Sequence, residues 1–311
     1  MAHASERTMV DLTGAQETLL IPLWARAREN CRPDGLIRDP FAAKIVDSLA
    51  FDFATFERHH VAGVDFCVRA RLMDELVQDA LAEHAAKRSV VEFGPGLDTR
   101  FHRLGEQADR WVEVDFPEVT TLRERFFGSN PRRKTIARSI LDLKWMDEAG
   151  DLGSNPLFIA EGVLYFLSRA EVQHLISQLA NRFPGGSFLF DAQGPLFLRL
   201  SNWLHPLRGS RLNFYLNGLG EEIASWDSRL QVERCVGFGD TPYYDQLLPR
   251  MAWWKRAAAR LGRRARPLFK IVQVRLGEPA LPVSRPDVVL SSVRPEPSSA
   301  GRLFENVKCS Q

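Results

Sequence analysis

The chain has 311 residues, with 41 Lys and Arg against 39 Asp and Glu for a net charge of +2, and 45% of it is hydrophobic. That is the composition of a soluble globular protein with room for one large domain or a domain carrying an insertion, and so balanced a charge gives no bulk attraction to nucleic acid or an anionic membrane. No apolar run approaches transmembrane length, Met1 to Val10 lacks a signal-peptide core, and Cys31, Cys67, Cys235 and Cys309 stand at no metal or redox spacing. The expectation is a cytoplasmic protein with reduced thiols and no structural metal.

Residues 1–85 read as a helical segment. Glu17 to Glu29 fits a helix only if Pro22 starts or kinks it, and Cys31 to Gly35 is a turn. Asp39-Pro40 opens a second helix as N-cap and first helical residue. Phe66 to His84 repeats apolar residues at helical spacing and carries Arg69, Arg71 and Asp74.

Residues 86–277 then alternate strand and helix. Val90, Val91 and Phe93 mark a buried strand that ends in Gly94-Pro95-Gly96, where two glycines let the backbone turn sharply beside a ligand. Asp98 or Thr99 is placed to cap the helix that follows. Trp111–Asp115, Thr135–Ala137, Pro156–Glu161 and Ser187–Asp191 are further strands, with Ser168 and Glu171 forming a capping box between the last two. Leu230–Val236 and Phe269–Leu276 complete seven strands, the final one antiparallel or at an edge. This predicts an α/β, doubly wound, mostly parallel sheet with N-terminal helices and a cap insertion near 194–225. Met251 to Arg266 reads as a basic helix, a solvated face rather than an RNA-binding one. Residues 278–311 read as an extended tail.

Strand, glycine turn and helix is how such sheets hold a nucleotide. A nicotinamide site wants a third glycine where this chain has Thr99, and Glu92, counted with the turn, puts a carboxylate where a pyrophosphate would be repelled. An acidic rim suits a ligand with a cationic end and no phosphate, such as S-adenosylmethionine. Asp115, about 20 residues on, is placed to accept both ribose hydroxyls. A plain strand–turn–helix corner is the competing reading.

The blocks Val91-Glu92-Phe93-Gly94-Pro95-Gly96-Leu97-Asp98-Thr99-Arg100, Glu113-Val114-Asp115-Phe116-Pro117-Glu118-Val119, Ala160-Glu161-Gly162-Val163-Leu164-Tyr165 and Phe183-Pro184-Gly185-Gly186 with Phe190-Asp191 follow one another in order. Together with Arg26-Ala27, Asp39-Pro40 and Arg69-x-Arg71 they resemble the leucine carboxyl methyltransferase family, which includes bacterial O-methyltransferases of polyketide pathways. The similarity runs from about Gln16 to Gly277 and departs at Pro95, where the family has Ala. It implies a Rossmann-like class I methyltransferase core that binds S-adenosylmethionine. Gly94 and Gly96 would line its methionine part, Asp115 the ribose, Ser139 and Ile140 the adenine, and Arg69 would pair with the carboxylate; Phe116 would also bind the cofactor. Glu92 joins this set, and Glu161 would face the amino group or the cleft. Tyr165 either positions substrate or packs in the core.

The implied reaction is O-methylation of a small polyketide-like acceptor. A carboxylate, ionised at neutral pH, needs no base; a phenol or alcohol does. No histidine stands in the cofactor motifs, which favours a carboxyl acceptor without excluding a hydroxyl. The partner expected is a small acid or phenol, with neither nucleic acid nor membrane, and the oligomeric state is open. Methylation of a protein C-terminal carboxyl and non-catalytic nucleotide binding are the alternatives.

Overall fold

Period-two alternation of buried side chains, one set facing each side of a sheet, organises the molecule. The computed structural model describes residues 17–58, 63–83, 88–204, 211–218, 220–250, 256 and 269–277. The expected basic helix, apart from Arg256, and the tail beyond Gly277 lie outside the described residues.

Four helices precede the sheet: α1 (Glu17–Asn30), α2 (Pro40–Ser48), α3 (Ala54–Arg58) and α4 (Val64–Ala82). α1 continues through Pro22 rather than starting there. α2 opens as its sequence dictates: Pro40 occupies the first turn, and the Asp39 carboxylate accepts the Ala42 N–H at 2.9 Å.

The seven strands are β1 (Ser89–Phe93), β2 (Arg110–Asp115), β3 (Arg133–Ala137), β4 (Leu157–Ala160), β5 (Ser187–Gln193), β6 (Leu230–Gly237) and β7 (Phe269–Leu276). They lie in the order β3-β2-β1-β4-β5-β7-β6. β1 to β5 pair in parallel, and β7 runs antiparallel to both β5 and β6. The last strand is thus antiparallel as expected but lies inside the sheet, and the edge falls to β6. Among the described residues no helix is long and apolar enough to cross a membrane.

α5 (Arg100–Leu104) and α6 (Pro117–Phe127) join α1, α2 and α4 on one face, around Leu20, Leu72, Val90, Trp111 and Ile159. α7 (Trp145–Ala149) and α8 (Arg169–Arg182) cover the other, around Phe93, Trp145, Phe158, Val172 and Phe188. The capping box of Ser168 and Glu171 opens α8, both of its reciprocal bonds being present. In the 194–225 insertion, α9 (Pro195–Leu204) leads to a segment clipped back to the core by main-chain bonds. The carbonyl of Tyr165 accepts the N–H groups of Asn213 and Phe214, and Gln193 accepts that of Leu216.

Two local expectations change. The glycine turn leads into a single turn of helix, and its N-cap, Thr99, makes no capping bond. The Thr99 hydroxyl donates to Asp39 instead, and Asp98 accepts the Arg100 N–H at 2.8 Å. Cys67 and Cys235 are buried free thiols, whereas Cys31 is disulfide-bonded, against the expectation of four reduced cysteines.

Candidate active site

The carboxyl ends of the parallel strands share one edge of the sheet, and most of the expected site residues meet there. Gly94 and Gly96 have φ of +55° and +54°, a region open to glycine. A Cβ at either would also collide, with Val163 at Gly94 and with Leu19 of α1 at Gly96, both at 2.7 Å.

Asp115 closes β2 and fixes that turn. One carboxylate oxygen accepts the Gly96 N–H and the other the Phe116 N–H, both at 2.8 Å. Burial raises its pKa, and the two N–H bonds oppose the rise. Each oxygen keeps a lone pair beyond the backbone bond. Phe116, next in the chain, is 56% exposed, a large apolar ring standing free beside the turn. Ser139 and Ile140 follow β3, the neighbouring strand; Ile140 is buried and its carbonyl accepts the indole N–H of Trp145.

Glu92 is not in the turn. It sits within β1 between Val91 and Phe93, whose side chains face the α7–α8 side, so its own points to the opposite face beneath the loop. There it accepts from Arg100 Nη1 at 2.5 Å and from the Trp111 indole at 3.1 Å. Burial pushes its carboxyl upward and Arg100 opposes the shift. It therefore forms no acidic rim, and it supports the loop from below.

Arg100 is the residue that the sequence left unassigned and the structure makes central. It is 1% exposed and touches four carboxylates. Its Nε donates to Asp74 at 2.8 Å, Nη1 to Glu92, and Nη2 to Glu161, with Asp98 3.4 Å away. Arg123 of α6 is equally buried: it pairs with Glu113 and donates to the carbonyls of Gly96 and Asp98 at 2.6 and 2.9 Å. Two arginines thus hold the glycine turn, one through acids and one through its backbone.

Glu161, just past β4, divides its oxygens between Arg69 Nε at 2.8 Å and Arg100 Nη2. Arg69 also lies 3.2 Å from Asp191 of β5. Burial works against its charge, but Glu161 and Asp191 outweigh that and raise its pKa. Arg69 is thus buried on α4 and faces the glycine at 162, where a Cβ would lie 3.3 Å from its guanidinium.

Tyr165 packs in the core cluster with Leu198 and Leu212, and its ring meets Phe269 edge-on at 6.0 Å. Its hydroxyl is buried without an aligned hydrogen bond. Burial first, then the Asp191 carboxylate, push the phenol well above its usual pKa. His102 is on α5, where it stacks on Phe41 with ring centroids 3.8 Å apart. Although His102 keeps an exposed edge, partial desolvation against the neighbouring rings and then Arg133 lower its pKa to about 4.

The strand order and the glycine turn pinned to the acid of β2 fit the class I methyltransferase core that the sequence resemblance implies. The family model for leucine carboxyl methyltransferase matches residues 20–180, more than half of the chain. The chain belongs to the leucine carboxyl methyltransferase family. Among its relatives is the tetracenomycin polyketide synthesis O-methyltransferase TcmP of Streptomyces glaucescens, 29% identical over 78% of this chain and 90% of that one. Another is the S-adenosyl-L-methionine-dependent methyltransferase dpfgK of Gibberella zeae, 27% identical over 68% and 78%. A crystal structure of a DUF574-family protein from Streptomyces avermitilis superposes with a TM-score of 0.53, covering 83% of this chain and 96% of its own at 16% identity, a likeness of fold. The matched span of the leucine carboxyl methyltransferase model contains every residue from Arg26 to Tyr165 described above.

Proposed function

We propose that the protein is an S-adenosylmethionine-dependent O-methyltransferase acting on a carboxyl or hydroxyl group of a small polyketide-like molecule. The observation that carries this reading is the single carboxylate of Asp115 bonded to Gly96 and to Phe116, which ties the glycine turn to the strand beside it. The relative TcmP, named for polyketide O-methylation, supports the choice of acceptor class.

When bound, the cofactor supplies a methyl group on a sulfonium, a good leaving centre for direct displacement. The chain's work is to bind, orient and keep water out. Asp115 accepts the ribose hydroxyls through its free lone pairs, with Phe116, Ser139 and Ile140 flanking the adenine. Gly94 and Gly96 leave room for the methionine part. Arg69 holds the carboxylate in two-pronged fashion, and Glu161 takes the amino group. The buried arginines beneath fix where these groups stand, and the apolar wall around Phe269 faces the acceptor.

Calorimetric titration with S-adenosylmethionine and, separately, with NAD tests the reading. S-Adenosylmethionine binds at micromolar to sub-millimolar concentration and NAD does not; absence of binding by the former sinks the proposal. Asp115→Ala weakens binding about a hundredfold or more, since two hydrogen bonds to a charged group are lost. Unchanged affinity removes Asp115 from the ribose.

A further inference from the structure

The ion pairs beneath the glycine turn join into one connected network, and its charges do not cancel. Arg100 touches Asp74, Glu92, Asp98 and Glu161, and Arg69 links Glu161 to Asp191. Arg103 joins Asp74, Asp98 and Asp39, and Arg26 joins Asp39 to Asp98. Among the described residues this sets four arginines against six carboxylates, and none of the ten side chains is more than 11% exposed. The adjoining set brings Arg123 and Arg133 with Glu113 and Asp115, so it leaves the shortfall of cations unchanged. The pairing shows where the shortfall falls: every acid of the network meets two arginines or more except Glu92, on Arg100, and Asp191, on Arg69. Asp191 is compensated by the Gly162 N–H at 2.8 Å and by the Tyr165 hydroxyl. Glu92 adds only the neutral indole N–H of Trp111 at 3.1 Å. A buried carboxylate short of cations is costly, and a proton or an arriving cation relieves it.

We propose that this network is a charge sensor for the cofactor, in which the sulfonium of S-adenosylmethionine supplies a missing cation and Glu92 is the acid that responds. The inference rests on the methyltransferase reading and adds how the site tells cofactor from spent product. Both ligands carry an amino group and a carboxylate whose charges cancel, so the sulfonium is the whole difference between them. The network meets the ligand at its upper members, Arg69 and Glu161, and Arg100 carries the contact from Glu161 down to Glu92. Around Glu92 stand Asp98 and Arg100 past the turn, Trp111 and Glu113 of β2 and Arg123 of α6. Across Arg100 lie Asp74 of α4 and Glu161 beyond β4. Burial pushes the Glu92 carboxyl up to about 7; Arg100 and Arg123 oppose the rise, and Asp98 and Glu113 add to it. A positive charge arriving above lowers it again, and Glu92 gives its proton to water. After methyl transfer the network faces a neutral thioether, Glu92 recovers a proton, and the product is held less tightly. A unit charge acting on another about 10 Å away in a protein shifts an equilibrium roughly tenfold.

The test is calorimetry on the full chain, titrating S-adenosylmethionine and S-adenosylhomocysteine at about pH 7.5 and about pH 6. The cofactor binds about tenfold tighter than the product at the higher pH. That ratio falls about fourfold at the lower pH, where Glu92 already holds its proton. Near pH 7, titrations in buffers of different ionisation enthalpy read roughly half a proton more released with the cofactor than with the product. Glu92→Gln keeps the shape and cannot titrate, so it abolishes both the extra proton and the pH dependence of the ratio. Product binding as tight as that of the cofactor, a ratio that pH does not move, or a glutamine variant that still releases the extra proton overturns the sensor. The proton count in the parent chain needs no variant to fold. Failure of S-adenosylmethionine itself to bind shows in the first titration and overturns the underlying methyltransferase reading instead.

Discussion

The two faces of the sheet are built from the same strands and solve different problems. Toward α7 and α8 the strands present Phe93, Phe158, Phe188 and Phe190, packed on Trp145 and the apolar side of α8. Toward α4, α5 and α6 alternate positions of the same strands present Glu92, Glu113, Asp115, Asp191 and Gln193, all buried. The dry face gains roughly 25 cal/mol for each Å² of apolar surface removed from water. The second face has its own apolar core around Leu20, Leu72, Val90, Trp111 and Ile159, and its ion pairs add little net, because desolvating paired charges costs about what their attraction returns. What it gains is geometry, since a carboxylate held by buried guanidinium groups has one place to be. The difference teaches that both faces of one sheet carry apolar stability, whereas the buried charges that set the site are confined to one of them.

The strongest way to break this division is at Arg100. Arg100→Ala leaves Asp74, Glu92, Asp98 and Glu161 without their shared cation and is expected to cost about 3–5 kcal/mol by urea denaturation. Any folded fraction should also lose S-adenosylmethionine binding, and a variant that is stable and binds normally would show the ionic face to be passive. On the dry face, Phe158→Leu should cost about 1 kcal/mol and leave cofactor affinity within a factor of about two. An affinity change beyond that would mean that the faces are not separable.

The smallest effect sharpens the comparison through pH. An unfolded histidine titrates near 6.5, whereas His102 is lowered to about 4, so between those values the unfolded chain binds a proton that the folded chain refuses. Stability therefore falls as pH falls through that window. His102→Phe keeps the stacking on Phe41 and should flatten the fall between pH 6.5 and 4, with a constant offset above about pH 7. Thermal denaturation at several pH values reads it; equal slopes in the two proteins would assign the acid limb to the buried carboxylates.

Much of this was legible in the sequence for physical reasons that are local. Asp39-Pro40, the Ser168 capping box and Gly94-Pro95-Gly96 act within a few residues, and each appears where its chemistry put it. The alternation Val91-Glu92-Phe93 was also local, and applying period two to it would have sent Glu92 beneath the loop instead of into it. Arg100 and Arg123 were illegible because their partners are distant in the chain: Glu161 lies 61 residues from Arg100, and Gly96 lies 27 from Arg123. Nor does the text of β7 reveal that it enters between β5 and β6, because an apolar strand reads alike whether it is central or last. Asp191 reads in the sequence only as a strand end, and the folded sheet brings it beside Tyr165.

The insertion is fastened by peptide groups as well as by side chains: Phe214 and Leu216 are buried in the core, and Asn213 Nδ2 donates to the Phe166 carbonyl. Tyr165 and Gln193 offer it their carbonyls, it answers with the N–H groups of Asn213, Phe214 and Leu216, and Lys270 adds a bond to the carbonyl of Leu216. Those three main-chain bonds need only a residue other than proline at each donor position. Only the exposed positions of this segment are free to change without loosening its attachment, while the buried Leu212, Phe214 and Leu216 keep its register.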